Sequence, residues 1–379
     1  MSLRSRIMLF TDWYEPGFKA GGPIRSCVNF ATQMKEDYDI YIFTSDRDLD
    51  DKQSYAQIES NQWIERGGVE VFYASPGSLN WESILVHIQQ VKPDYLYLNS
   101  MYSRYFTIYP LLMKRMGMIK GQVILAPRGM LKSTAIQYKT GKKKIFFQLL
   151  RLLNIHRKII FHATDSTEAD DIKKLFGNGS RIKQISNFPP HQKILQPISK
   201  NTGDIRMAFA GRVHPIKNLL FLLHCLQTVC GKITLTIIAP VEDEAYWREC
   251  SSVIQKLPET VNVVLCEDVP HHEIEQLIYE HHLFVLPTLG ENFGHAIFEA
   301  LSAGRPVLIS DQTPWRNLQQ SHAGWDLPLS NPAAFVKVLQ QVADMDDETF
   351  QQWSAGAWQY AKNFSESSKL KEKYKKLFS

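Results

Sequence analysis

Residues Pro287–Ser310 read PTLGENFGHAIFEALSAGRPVLIS. The stretch runs strand, loop, helix, strand, with the helix predicted over Phe293–Ala303. Glu291 lies in the loop and Glu299 eight positions on, inside the helix. That interval is a little over two helical turns, so both carboxylates can face one side. Phe293, Gly294 and His295 occupy the predicted helix start, where backbone N–H groups lack intrahelical partners and can meet an anion. Gly294 leaves out a side chain where a ligand would come close. Sugar and ribose hydroxyls suit carboxylate acceptors, and phosphates suit a helix N-terminus, so the pattern fits a nucleotide-sugar site. On spacing alone a plainer reading fits equally well: Glu291 as a charge favoured by the helix dipole, and Glu299 as a solvated surface residue.

Upstream, Met207–Leu219 reads MAFAGRVHPIKNL. Gly211 ends a strand, Pro215 shapes the turn, and Arg212 and Lys217 lie in the loop. Two cations at a strand's carboxyl end, beside a helix start, make a diphosphate clamp; a basic loop that only aids solubility is the alternative. Apolar runs and helix patterns alternate from here to ISD at residue 311, as in a doubly wound α/β domain. The segment between about Ile185 and Asp204 is rich in proline and polar residues and reads as a linker. Before it, RIMLF, IYIFTS, VEVFY, YLYLN and QVILAP are short, nearly continuous apolar runs, the pattern of strands buried on both faces of a parallel sheet. Within the first of these βα units, Gly21-Gly22-Pro23 leaves bare backbone between strand and helix. A phosphate or sugar can approach there, although a plain tight turn explains the pair as well. The expected fold is therefore α/β, with two Rossmann-like doubly wound domains, 1–195 and 196–379, facing across a cleft. The tail from about Asp347 to Ser379 reads as helix throughout, its end expected to pack back on the first domain.

Composition sets the outer limits. The chain has 379 residues, 44% hydrophobic and 22% charged, with a formal net charge of +4. That is ordinary for a soluble enzyme, and the charge alone does not call for nucleic acid. The five cysteines, Cys27, Cys225, Cys230, Cys250 and Cys266, show no C-x-x-C pair and read as reduced thiols. No stretch approaches the roughly 18 apolar residues of a membrane span, and the N-terminal apolar run is too short for a signal segment. These features lead to the expectation of a cytoplasmic protein.

Taken together, the motifs resemble those of glycosyltransferase family four, a family of GT-B fold. Its Glu-x7-Glu signature corresponds to Glu291 and Glu299, its Gly-Arg…Lys pattern to Gly211, Arg212 and Lys217, and its Gly-Gly loop to Gly21 and Gly22. The segment Ser310–Trp325 also looks like the family's. The resemblance implies that Arg212 and Lys217 hold the donor diphosphate and that Glu299 binds the donor ribose. It places Glu291 on the transferred sugar, with backbone groups of Phe293, Gly294 and His295 around sugar and phosphate. It further sets the turn ending at Val269 beside the nucleobase and Gly22 near the phosphates. Retention of anomeric configuration, no active-site metal and no cofactor beyond a UDP- or GDP-sugar substrate are implied with it. Two departures stand out. Many members carry a histidine after the strand resembling QVILAP, where this chain has Pro127, Arg128 and Gly129; Arg128 takes that place. The family's lysine is often followed by glycine, and here Asn218 follows Lys217.

Other signals are read as structural. Asp46-Arg47-Asp48 spells D-x-D but is expected to be a solvated turn. The pairs His271-His272 and His281-His282 lack a recognisable ligand spacing and are expected on helix surface. No G-x-G-x-x-G follows the first strand, which argues against a dinucleotide oxidoreductase. The basic stretch from Lys139 to Lys158 is either a core-packing helix with a charged rim or a segment lying on an anionic membrane. The expected function is a retaining transfer of a sugar from a nucleotide-diphosphate sugar to an acceptor hydroxyl, in polysaccharide or glycolipid assembly. The acceptor would be a sugar or a lipid-linked molecule, and peripheral contact at the inner membrane face would run through 139–158. A catalytically silent nucleotide-sugar-binding subunit and a GT-B epimerase are the alternatives.

Overall fold

The computed structural model describes residues 4–131, 146–148, 150–190, 192, 194–267, 269–367 and 369–379, with His271 and His272 described by backbone alone. The chain divides into two compact units, Met1–Phe188 with Lys369–Ser379, and Pro189–Ser368. Among the described residues no helix is long and apolar enough to cross a membrane.

In the first unit the strands are β1 (Arg6–Phe10), β2 (Asp39–Ser45), β3 (Trp63–Arg66), β4 (Val69–Ala74), β5 (Tyr95–Leu98), β6 (Gln122–Leu125), β7 (Ile159–Ala163) and β8 (Arg181–Gln184). They form one sheet in the order β3-β4-β2-β1-β5-β6-β7-β8. All pairs are parallel except the hairpin of β3 with β4. Ile7–Phe10 and Leu96–Leu98 are wholly buried, which is why the central strands carry unbroken apolar runs. Helices α1 (Gly22–Met34), α2 (Trp81–Val91), α3 (Tyr109–Arg115) and α4 (Ser166–Phe176) connect the strands. The α2 and α4 starts are set by Asn80 and Asp165, whose side chains accept the N–H of Ser83 and Glu168. The terminal helix, Leu370–Leu377, belongs to this unit: Tyr374 stacks on Phe188 with ring centroids 4.3 Å apart.

The second unit alternates β9 (Asp204–Ala210), α5 (Leu219–Leu226), β10 (Lys232–Ile238), α6 (Glu244–Ile254), β11 (Val261–Cys266), α7 (His271–Tyr279), β12 (Leu283–Leu286), α8 (His295–Ser302), β13 (Val307–Ser310) and β14 (Gly324–Leu327). Helices α9 (Pro332–Asp344) and α10 (Asp347–Ser367) follow. The all-parallel sheet runs β11-β10-β9-β12-β13-β14. Its order reverses between β9 and β12, and in sheets of this kind ligands bind outside the carboxyl ends of the strands at such a reversal.

The proline-rich linker is tied to the second unit. Arg305, fully buried, donates to the carbonyls of Gln196 (2.8 Å), Tyr279 (3.1 Å) and Gly304 (3.2 Å). Gln351 donates to Ile198 O (2.7 Å), and Lys200 Nζ to Ala343 O (2.9 Å). Burial pulls the Arg305 guanidinium down to about 10 and lowers Lys200 as well.

Three sequence expectations are corrected. The tail is not one helix: Lys369 takes φ 47°, a left-handed angle that cannot continue α10. The serines before it compete with the helical backbone, which makes the break inexpensive. His281 and His282 are buried rather than on a helix surface. His281 pairs with Thr236 Oγ1 (2.8 Å), and His282 donates to Ser199 O (3.1 Å) while accepting the Arg206 N–H (3.1 Å). The side chains of His271 and His272 lie outside the described residues. Asp46 and Asp48 are buried too, not solvated; their partners are given below. Lys139, Lys142, Lys143 and Lys144 fall outside the described residues.

Candidate active site

In the second unit, the loops after β9 and β12 part on either side of the strand-order reversal. The first leaves β9 at Gly211 and tightens into a single 3₁₀ turn, Pro215–Lys217, begun by His214, whose Nδ1 accepts the Ile216 N–H at 3.2 Å. Asn218 ends that turn at φ 59°, ψ 39°, a left-handed conformation that asparagine tolerates. The Ile216 carbonyl then accepts the Leu289 N–H (2.8 Å) and the Thr288 hydroxyl (3.0 Å) of the second loop. These bonds bring together side chains 74 residues apart: Lys217 forms an ion pair with Glu291. The two side chains are 16% and 14% exposed. The Lys217 stem runs over Gly211, where an added Cβ would lie 3.6 Å from Lys217 Cε, an ordinary contact. Gly211 is therefore compatible with alanine as far as this chain's own atoms go.

Arg212 points elsewhere, to Glu242 after β10, at 2.7 Å. Both side chains are about 40% exposed, 42% and 40%. An ion pair so exposed is worth little, about 0.2–1 kcal/mol, so Arg212 is readily handed to a stronger anionic partner. Val269 follows β11, half-buried in the loop before α7.

The Glu-x7-Glu segment differs in one respect from its sequence reading. The helix begins at His295, not Phe293, because Gly294 sits at φ 76°. A Cβ there would stand 2.8 Å from Ile297 Cδ1, the movable end of that side chain, so it is chiefly the angle that calls for glycine. Phe293 is buried, and its carbonyl accepts the Trp315 indole N–H at 2.6 Å. Its ring packs edge-on to Trp315, at 5.2 Å between centroids. His295 is buried at the first helical position and Glu299 is half-buried one turn on. Gln312 O accepts the Glu291 N–H at 3.0 Å, fixing the backbone that carries the carboxylate.

Gly21, Gly22 and Arg128 are in the first unit. Gly21 has φ 62°, ψ −117°, a region open only to glycine, and α1 begins directly after it with Gly22 and Pro23. The loop leading to it is braced by the D-x-D that was expected to be a solvated turn, together with two tyrosines. Asp48 Oδ2 accepts the N–H groups of Phe18 (2.6 Å) and Lys19 (3.0 Å), and Oδ1 accepts that of Leu49 (2.8 Å). Asp46 accepts from the Ser60 hydroxyl and Arg47 Nε, each at 2.8 Å. Tyr73 donates to Glu15 O, and Tyr55 to Tyr14 O at 3.3 Å. A D-x-D that looks solvated is thus the anchor of the Gly-Gly loop, through partners about thirty residues away.

Arg128, at φ 54°, spends its donors inside this unit: on Asn99 Oδ1 (3.1 and 2.6 Å), the Tyr97 hydroxyl (2.8 Å) and Asn187. Tyr97 in turn donates to His162 Nδ1 at 2.7 Å, and His162 Nε2–H donates to Ile185 O at 2.8 Å. Burial, and then the Arg128 charge, push His162 down to about 3, so the ring is neutral. Burial holds the Tyr97 phenol well above its usual range. Behind Arg128, Glu168 is fully buried, accepting the N–H of Gly129 (2.6 Å) and both N–H (2.8 Å) and O–H (2.7 Å) of Thr164. The sequence signal for Glu168 was its place three residues after the helix-capping Asp165. Asp12, after β1, was also missed; burial raises its carboxyl, against hydrogen bonds with Ser103 and Ser100.

Residues 204–345 match the family described as Glycosyl transferases group 1. That match lies within the second unit. Both Arg212 with Lys217 and Glu291 with Glu299 fall inside it. A curated relative, "Glycosyltransferase 1 domain-containing protein 1" of Xenopus tropicalis, is 29% identical over 110 residues, which is 29% of this chain and 31% of the relative. The match thus spans about a third of that relative's length. Among solved structures, Anabaena Alr3699/HepE in complex with UDP and glucose is similar with TM-score 0.69 at 13% identity, over 99% of both chains. Sucrose-phosphate synthase of Thermosynechococcus elongatus is similar with TM-score 0.70 at 14% identity, again over 99% of both. The chain as a whole has the GT-B fold of these structures.

Proposed function

We propose that the glycosyl transferases group 1 domain binds a UDP- or GDP-sugar, and that the chain transfers the sugar with retention to an acceptor hydroxyl. The observation that carries this reading is the Lys217–Glu291 pair, built from two loops at the strand-order reversal. A lysine held by a carboxylate is a cation ready to exchange partners. When a diphosphate enters, the ammonium turns to it, joined by Arg212 from its exposed pair, and Glu291 is left to accept hydroxyl hydrogen bonds from the sugar. Glu299 is the proposed ribose contact, Val269 the base contact, and the backbone of Phe293, Gly294 and His295 the contact with sugar and phosphate. The relatives named above support the class of donor, since one of the solved structures is a complex with UDP and glucose.

In the proposed step the bond between the anomeric carbon and the diphosphate oxygen breaks, and a bond to the acceptor oxygen forms on the same face. The acceptor proton passes to the departing diphosphate. Arg212 and Lys217 stabilise the charge that develops on that leaving group, which is where preorganised cations contribute most. Neither a metal nor a cofactor is part of the proposal. Gly22 is assigned to backbone approach to the phosphates. Arg128 is assigned to shaping the first unit's site, because its donors are already engaged there. Those engaged donors also favour a second reading, a subunit that binds a nucleotide sugar without turning it over. The proposed setting is polysaccharide or glycolipid assembly at the cytoplasmic face of a membrane.

Product analysis tests the reaction. With donor and an acceptor, nucleoside diphosphate should be released and the product's anomeric signals should match the donor's configuration. Inversion would overturn retention, and donor binding without release against any acceptor would favour the silent subunit.

A further inference from the structure

Not every glycine in the loop after β12 is explained by the fold. Gly294 is accounted for by its left-handed angle. Gly290, one residue before Glu291, is not: its φ lies outside the left-handed range, and apart from its two chain neighbours no atom of the chain stands within 4 Å of where its Cβ would be. Gly77 and Gly179 have equal room, but they are exposed in plain turns, closed by the Ser78 N–H on Ser75 O (2.9 Å) and the Ser180 N–H on Gly177 O (3.2 Å). Gly290 is half-buried, in a loop fixed residue by residue. The Leu289 N–H donates to Ile216 O (2.8 Å), the Gly290 N–H to the buried Thr288 Oγ1 (3.3 Å) and the Glu291 N–H to Gln312 O (3.0 Å). Ser310 Oγ donates to Thr288 O. The room over Gly290 is therefore preformed. Beside it Leu289 is 45% exposed, an apolar side chain two residues from the Glu291 carboxylate that pairs with Lys217.

We propose that Gly290 and Leu289 form the floor on which the transferred sugar lies, through a carbon-bound face of its ring, and that the missing side chain at Gly290 is what admits that sugar. The inference rests on the donor reading given above and adds two specificity-determining residues to it. A phosphate at this floor would need free N–H donors, and the N–H groups of Leu289, Gly290 and Glu291 already have acceptors. A sugar ring has C–H faces as well as hydroxyls. It can therefore meet a bare Cα and a leucine on one side while its hydroxyls reach the carboxylate of the next residue, Glu291. A Cβ at position 290 would occupy the ring's space without touching the rest of the chain. Glycine costs backbone entropy on folding, and close approach of a ligand to the backbone is the use that offsets it where no left-handed angle requires it.

The test is calorimetric titration of the full chain with UDP, GDP, UDP-glucose, UDP-N-acetylglucosamine and GDP-mannose, alongside the melting temperature without ligand. The wild type should bind a nucleoside diphosphate and at least one of its sugar conjugates. Gly290→Ala should bind the nucleoside diphosphate within about two-fold of the wild type and the conjugate at least about ten-fold more weakly, the scale of one misplaced methyl group in a fitted site. Without ligand it should melt at or above the wild-type temperature, because alanine restricts the unfolded chain and meets nothing in the folded one. Leu289→Ala should weaken the conjugate about three- to ten-fold and leave the nucleoside diphosphate unchanged. Equal weakening of nucleoside diphosphate and conjugate in Gly290→Ala would make Gly290 a phosphate contact, and an unchanged conjugate would leave its room unused; either result overturns the inference. So would a lower melting temperature of Gly290→Ala, since the fold itself would then need the glycine. Wild-type conjugate binding by Leu289→Ala, or a wild type that binds UDP or GDP but none of the three conjugates, would overturn it too. A wild type that binds no nucleotide at all would remove the donor reading itself, and the inference with it.

Discussion

Replacing the two members of the Lys217–Glu291 pair should move nucleotide binding in opposite directions. Their side chains are only 16% and 14% exposed, so the pair is screened less than a surface bridge. In Lys217→Ala the diphosphate loses a charge-assisted contact worth about 1.5–3 kcal/mol. UDP or GDP affinity should fall about 10- to 150-fold, and transfer about 10²- to 10³-fold where the contact strengthens as the leaving group departs. In Glu291→Gln the lysine loses its competing partner and the incoming diphosphate loses a like charge. Each such interaction at a partly exposed site is worth about 0.5–1 kcal/mol. Nucleoside diphosphate should therefore bind about five- to thirty-fold more tightly, while sugar transfer slows because the sugar's carboxylate contact is gone. Calorimetric titration of the three proteins with the nucleoside diphosphate reads the signs directly. If Glu291→Gln weakened the nucleotide as much as Lys217→Ala, the pair would be acting as a structural unit and the exchange argument would fail.

Other expectations follow from the same structure. Asp48→Ala should remove the brace of the Gly-Gly loop, raising the donor KM and lowering the melting temperature because three backbone N–H groups lose their acceptor; Asp48→Glu should restore part of both losses, and an unchanged KM would dismiss the bracing role. Gly294→Ala should destabilise the chain by about 1–3 kcal/mol, from a left-handed angle and a Cβ placed 2.8 Å from Ile297 Cδ1, as read by urea unfolding. His162 and His282 are both pushed down to about 3 in the folded chain, each first by burial. Below about pH 6.5 the unfolded chain gains protons that these folded rings do not. Stability should be intact above that pH and fall on acidification towards 3, by about 1.4 kcal/mol per pH unit for each ring once well below pH 6.5. Urea midpoints at pH 7 and pH 5 check this, and His162→Gln should flatten the slope by one proton.

Much of the architecture could be read from the sequence because buried parallel strands write their burial directly into the chain, as in LFVL and VLIS. Turn chemistry was legible for the same local reason: Asn218 adopts the left-handed angles its side chain tolerates. What could not be read is set by partners distant in sequence. Asp48 looks solvated among its charged neighbours until Phe18 and Lys19 arrive from thirty residues away. Arg305 is a lone cation in A-G-R-P until the linker carbonyls close over it. His281 and His282 look like the end of a surface helix, yet they are pulled inward where β12 enters the sheet beside β9. The start of α8 was misplaced by two residues because a helical pattern does not show the left-handed angle at Gly294.

The central claim is that a nucleoside diphosphate binds at Lys217. Thermal shift of the wild-type chain with UDP, GDP and ADP, with and without EDTA, and repeated on Lys217→Ala, tests it most directly, since a ligand bound to the native state raises its stability by mass action. UDP or GDP should raise the melting temperature, EDTA should not abolish the rise, and Lys217→Ala should. No rise with any of the three, or an equal rise in Lys217→Ala, would contradict the account.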